Sequence, residues 1–187
     1  MNKEFLVSLC QKNGEIFELF NKYKFDIGKV ISVFMTSKLA TYFDKEITMY
    51  QYKNVYAIFD DFEKENIEKI SYDPYQRYSN EACYYLGYLY RFYILNKHIT
   101  SKKMLTICPP QIVLNNYPYW HTLPFDRVVD IIQNEYRQKR YNHDIYQNKN
   151  RNDIKVDFDD PHLYSFLAKR IIYKLNRDID IKNLVFS

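Results

Sequence analysis

Two arginine–histidine spacings could carry chemistry. Six residues separate Arg91 from His98, and five separate Arg137 from His143. An arginine can hold the charge of a transition-state phosphate while a histidine moves a proton, which is the chemistry of metal-independent RNA cleavage. Arg91 and His98 are the candidate catalytic pair. A second constellation is aromatic: Tyr117, Tyr119, Trp120 and His121 in the stretch NNYPYWHT, which holds the only tryptophan. Trp120 could plug a core while His121 caps a helix or turn. Alternatively these four, with Tyr88 and Arg91, form a contact surface for a protein, since Trp, Tyr and Arg are the common interface anchors. The third is basic. Between 137 and 155 lie Arg137, Lys139, Arg140, Lys149, Arg151 and Lys155 against Asp144 and Asp153, interleaved with Tyr141 and Tyr146. Such a segment suits phosphate contact plus base stacking. It also suits a solvated linker, or a disordered segment that folds onto an acidic protein.

Metal and cofactor chemistry find little to work with. His98, His121, His143 and His162 show no i, i+3 or i, i+4 pairing, and Cys10, Cys83 and Cys108 form no CxxC. With three glycines in the chain a phosphate-cradling loop is hardly available, and no cofactor is expected.

The elements that must position these residues centre on Asn80–His98, NEACYYLGYLYRFYILNKH. Ser79 or Asn80 can cap it, and Glu81 favours the first turn. Apolar residues recur at Ala82, Leu86, Leu89 and Tyr93, and at Cys83, Tyr90 and Ile94, which predicts a helix greasy almost all round and therefore central. Gly87 in its middle suggests close approach of another element. Arg91 must snorkel out, pair with an acid such as Asp60, Asp61 or Asp126, or stack on a ring.

Before this helix the spacing predicts helices over 3–12 and 14–24 (or one bent near Asn13-Gly14). Another runs from Asp26 through Phe43. Thr48 caps a further one, which ends in Asp60, Asp61, Glu63, Glu65 and Glu68. After it come SKKMLTI from Thr100 or Ser101, a short helix from Pro110 to Leu114, the aromatic loop, and a helix from Phe125 to about Arg137. Apolar periodicity then stops, so 138–158 reads as a basic linker, with a docking helix and tail over 159–187. The fold class is all-α: one helical-bundle domain over 1–137 around a buried central helix, with an appended C-terminal helix.

Composition sets outer bounds. Hydrophobic residues at 47% and charged residues at 27% suit a globular chain of one domain. The 20 Tyr and 13 Phe, with low Gly, fit the coding bias of an AT-rich genome such as a bacterium or its mobile elements. No leader, membrane span or disulfide pattern is expected, which makes a reducing cytoplasm the default.

Gly87-Tyr88-Leu89-Tyr90-Arg91, then Ser101-Lys102-Lys103, Pro109, Tyr117 and His121-Thr122, resemble a family of small bacterial proteins. In that family a GYxYR helix precedes an S-K helix start and a Y…HT loop. The resemblance spans roughly residues 80–135 and names no catalytic residues. Its members are associated with toxin-like genes. It therefore implies an antitoxin or immunity role, a protein-binding inhibitor of a toxin or defence effector. The Arg91/His98 pair is similar to the Arg-x(4–6)-His motif of HEPN ribonucleases, although Phe92 stands where that family has a polar residue. Nucleic-acid binding through Arg137, Lys139, Arg140, Lys149 and Arg151 is the other alternative.

Overall fold

A computed structural model describes residues 3–45, 53–75 and 78–149. Among the described residues there are eight helices: α1 (Lys3–Lys22), α2 (Ile27–Met35), α3 (Lys38–Asp44), α4 (Val55–Asn66), α5 (Asn80–Lys97), α6 (Ser101–Ile107), α7 (Pro110–Trp120) and α8 (Phe125–Lys149). The chain divides into two compact units, Met1–Arg140 and Tyr141–Ser187. The first carries the whole core, and of the second only the last turns of α8 are described.

The all-α expectation holds, with α5 at the centre. Ser79 caps it, its Oγ accepting from the Ala82 amide at 3.1 Å. Ten of its residues are buried, Arg91 among them. Its main partner is α1, with α6 and α7 also packed against it; α4 lies on α1. Phe125, at the start of α8, stacks on Tyr88 with ring centroids 4.7 Å apart and on Tyr85 at 5.4 Å.

The α1–α5 crossing is unusually close, and Gly87 is the reason. A β-carbon there would lie 2.4 Å from the Asn13 carbonyl oxygen and 2.9 Å from the Gly14 Cα. Asn13, fully buried, donates its Nδ2–H to the Gly87 carbonyl at 2.7 Å. Gly14 in turn receives Tyr84, whose ring would stand 2.9 Å from an added β-carbon. The Asn13-Gly14 pair is therefore a point of helix contact rather than a break, and α1 runs straight through it.

Several boundaries differ from the periodicity. The helix expected over 26–43 is two, because the Ser37 hydroxyl donates to the Phe34 carbonyl at 2.6 Å and accepts from the Ala40 amide, ending α2 and capping α3. Asn54 caps α4 at its described start; Thr48, the expected cap, lies outside the described residues. The stretch 115–120 is helical rather than a loop, with Pro118 inside α7. The largest correction is α8, which continues past Arg137 to Lys149, so the first part of the expected 138–158 linker is helix. Gln, Lys and Arg are good helix formers. Residues 138–141 are exposed, so loss of apolar periodicity there marks loss of burial, not loss of helix. The expected helix and tail over 159–187 lie outside the described residues.

Gly87→Ala should destabilise the protein by about 1–3 kcal/mol despite alanine's better helix propensity, because the obstacle is backbone on another helix. Urea unfolding should show a lower midpoint at unchanged slope.

Candidate functional site

Arg91 is 0% exposed. Its partner is Asp44, at the end of α3, and not Asp60, Asp61 or Asp126: Nη1 donates to Asp44 Oδ1 at 2.8 Å. Asp61 pairs with Lys53, and Asp60 and Asp126 are exposed. The Asp44 carboxylate also accepts the Ser101 backbone N–H at 2.7 Å and the Ser101 hydroxyl at 2.5 Å. The guanidinium sits over the Phe43 ring, 5.2 Å from its centroid, and Nη2 donates to Ser101 Oγ at 3.3 Å. Burial lowers the Arg91 pKa and Asp44 acts against that fall. Arg91 Nε has no hydrogen-bond partner. The cluster joins α3, α5 and the start of α6, a structural role.

His98 does not share a surface with that guanidinium. It ends α5 in the left-handed region, φ 50° and ψ 47°, and is exposed. It lines a cleft of about 480 Å³ with Asp44, Lys45, Lys102 and three threonines, from which Arg91 is absent. Arg137 is exposed on α8, as are Lys139 and Arg140. Arg151 lies outside the described residues, as do the side chains of His143 and Lys149.

The aromatic stretch divides. Trp120 is buried, and its carbonyl accepts the Tyr85 hydroxyl at 3.0 Å. His121 follows the last residue of α7, its Nδ1 2.6 Å from the Tyr117 carbonyl; a carbonyl only accepts, so the proton is on Nδ1. The core-plug reading of Trp120 and the capping reading of His121 are the ones observed, so Trp120 and Arg91 leave the list of contact residues. Tyr119, 63% exposed, stays on it with Tyr117, His121 and the half-buried Tyr88.

Tyr117 and His121 open onto a groove of about 280 Å³ whose other walls are Glu18, Glu81, Tyr84 and Tyr85. Hydrogen bonds from its own amide and from Ser79 hold the Glu81 carboxyl below its usual range, so it is charged at neutral pH. Burial raises the Tyr84 and Tyr85 phenols, which stay neutral. The groove is thus aromatic with negative charge at its rim. On α1, Glu18 pairs with Lys22 at 2.6 Å. Tyr23 stacks on Phe59 at 4.8 Å, and the Tyr72 hydroxyl donates to Glu63 at 3.4 Å. Tyr56 and Tyr72 are each 59% exposed on this acidic α4 side.

Comparison with known proteins leaves this surface to be read on its own chemistry. No protein-family model, curated protein or solved structure matches the chain. Among the described residues no group of His, Cys, Asp and Glu could hold a metal, and no helix is long and apolar enough to cross a membrane. Sequence reasoning missed Asp44, Glu18 and Glu81. Asp44 lies 47 positions from Arg91 with no local signal. Glu18 and Glu81 read as ordinary exposed helix positions until α1 and α5 are brought side by side.

Removing Asp44 leaves a buried guanidinium without its counter-charge, so Asp44→Asn should cost about 3–5 kcal/mol. Combining it with Arg91→Met should cost clearly less than the two single changes added, in a denaturant double-mutant cycle. Additive losses would show that the pair is not coupled.

The three thiols give a pH signature. Burial pushes Cys10, Cys83 and Cys108 up to about 12 from an ordinary 9.0. Below pH 9 both states keep these protons. Above it the unfolded chain releases them and the native chain does not, so stability should fall as pH rises from 9 toward 12. At pH 8 a thiol reagent should label the native protein slowly and all three cysteines in urea.

Proposed function

We propose that this chain is a protein-binding inhibitor, antitoxin- or immunity-like and of bacterial or phage origin, which neutralises a toxin or defence effector by direct contact. The observation that carries this reading is the groove of Tyr84, Tyr85, Tyr117 and His121 with the Glu18 and Glu81 carboxylates in its walls, on a surface that also exposes Tyr56, Tyr72 and Tyr119. Tyrosine offers large contact area with few rotatable bonds to immobilise, so it anchors interfaces well. Carboxylates between the rings select a partner with a basic face and speed its approach. A basic face is what an effector acting on nucleic acid would present. The likeness of Gly87–Arg91 and His121-Thr122 to a toxin-associated family points the same way. The RNA-cleaving alternative is not favoured, because its arginine is sealed against Asp44.

The tagged full-length chain, expressed in its native cells, should retain one basic protein at near-stoichiometric level. Calorimetry on the purified pair should show at least a tenfold loss, about 1.4 kcal/mol, for Tyr56→Ala/Tyr119→Ala, and affinity falling as salt rises. A chain that retains no protein, or a complex indifferent to both residues, would end this reading.

A further inference from the structure

A second surface of opposite charge lies where α8 passes α6. Lys103 Nζ donates to the Tyr136 hydroxyl at 3.1 Å and stands 5.5 Å from that ring's centroid. Arg140 follows Tyr136 by four residues, one turn along α8, and the Lys103 hydrogen bond with the charges of both cations draws the Tyr136 pKa below its ordinary value. Arg137 and Lys139 flank Tyr136 and Arg140 along α8, and their charges are felt at Tyr93 and Cys108 respectively. At about 100° per residue, positions 139, 136, 140 and 137 span less than half the circumference of α8. All four cations are exposed, and Glu135 lies on their flank.

Lysine and arginine repel one another, so four exposed cations gathered about one neutral phenol form a surface that an anion would complete. The phenol holds Lys103 in place by a hydrogen bond without neutralising it. A phosphate beside that hydroxyl would accept from Lys103 and from the arginine one turn along α8 and offset their charge. The cations flanking the phenol along α8 extend the patch in one direction, which suits a chain of phosphates better than a single one. We propose that Lys103, Arg137, Lys139 and Arg140 form a binding site for the phosphodiester backbone of single-stranded nucleic acid, organised on Tyr136. The site reads charge and spacing, not base sequence. It differs from a flexible basic segment in two respects: its cations sit on a helix, and one of them comes from α6, 33 residues away from Tyr136.

The test uses the full chain and a fluorescein-labelled mixed-sequence RNA of about twenty nucleotides, with DNA of the same sequence, followed by anisotropy across a salt series. Lys103→Gln/Arg140→Gln should weaken binding more than tenfold and make the slope of log K against log salt shallower by about 1.4, the value for two lost contacts on a single strand. Exposed Lys29→Gln/Lys38→Gln, on α2 and α3, should change neither. Thermal unfolding of both double variants should match the parent, since only exposed side chains change. If the pair is destabilising, Arg137→Gln/Lys139→Gln replaces it with the same expectation. Absence of binding, equal losses from the two double variants, or binding abolished only by substituting Lys149, Arg151 and Lys155 would overturn the proposal.

Discussion

The structure depends on a place where no side chain fits. At Gly87 the backbones of α1 and α5 come so near that a β-carbon would overlap the Asn13 carbonyl. That approach does more than pack two helices. Arg91 is one turn beyond Gly87 on the same face of α5, and Cys10 is one turn before Asn13 on α1. Cys10 and Arg91 are near enough to perturb one another electrostatically. The crossing that Gly87 permits therefore closes α1 over the guanidinium and takes it out of water. A buried arginine is tolerable only with a partner, and Asp44 supplies it while holding the first amide of α6. Glycine contact, buried cation, paired acid and capped helix form one causal sequence, in which each step makes the next necessary.

Sealing that charge inside has a consequence for function. The positive charge that first suggests chemistry holds α3, α5 and α6 together through Asp44 and Ser101. What remains for partners lies on the outside and is sorted by sign. Glu18 and Glu81 lie in the walls of the Tyr117–His121 groove, while Lys103, Arg137, Lys139 and Arg140 are exposed on α6 and α8. A formal charge of only +4 hides this separation of sign. Net charge averages over two faces that would recruit different partners.

The core was legible because burial leaves a periodic trace. Leu86, Leu89, Tyr90 and Ile94 recur as a buried helix requires, and Ser79 precedes them as a cap. Where the trace failed, burial and helicity had parted company. Residues 138–149 are helical without an apolar face, and 115–120 are helical despite Pro118 because Trp120 and Tyr117 pack inward. Ser37 ends a helix in the middle of an unbroken apolar pattern by hydrogen-bonding the backbone on both sides of itself. Long-range pairings left no trace at all. Nothing near Asp44 marks it as the mate of Arg91, and nothing near Tyr136 marks it as the partner of Lys103.

The Arg91–His98 spacing shows why local geometry alone misassigns chemistry. Seven positions of regular helix turn the chain about 700°, nearly two full turns, so the pair would share a face about 10 Å apart. Both premises of the chemical reading then fail for separate reasons. The helix stops being a helix at His98, whose left-handed backbone sends the chain on toward Thr100 and exposes the ring. Arg91 stays in the regular part, on the face that Gly87 commits to α1 and Asp44. A motif defined by spacing assumes that its residues see the same surroundings. Here the same stretch passes from the interior to solvent within two turns, so His98 keeps access to a partner while Arg91 does not.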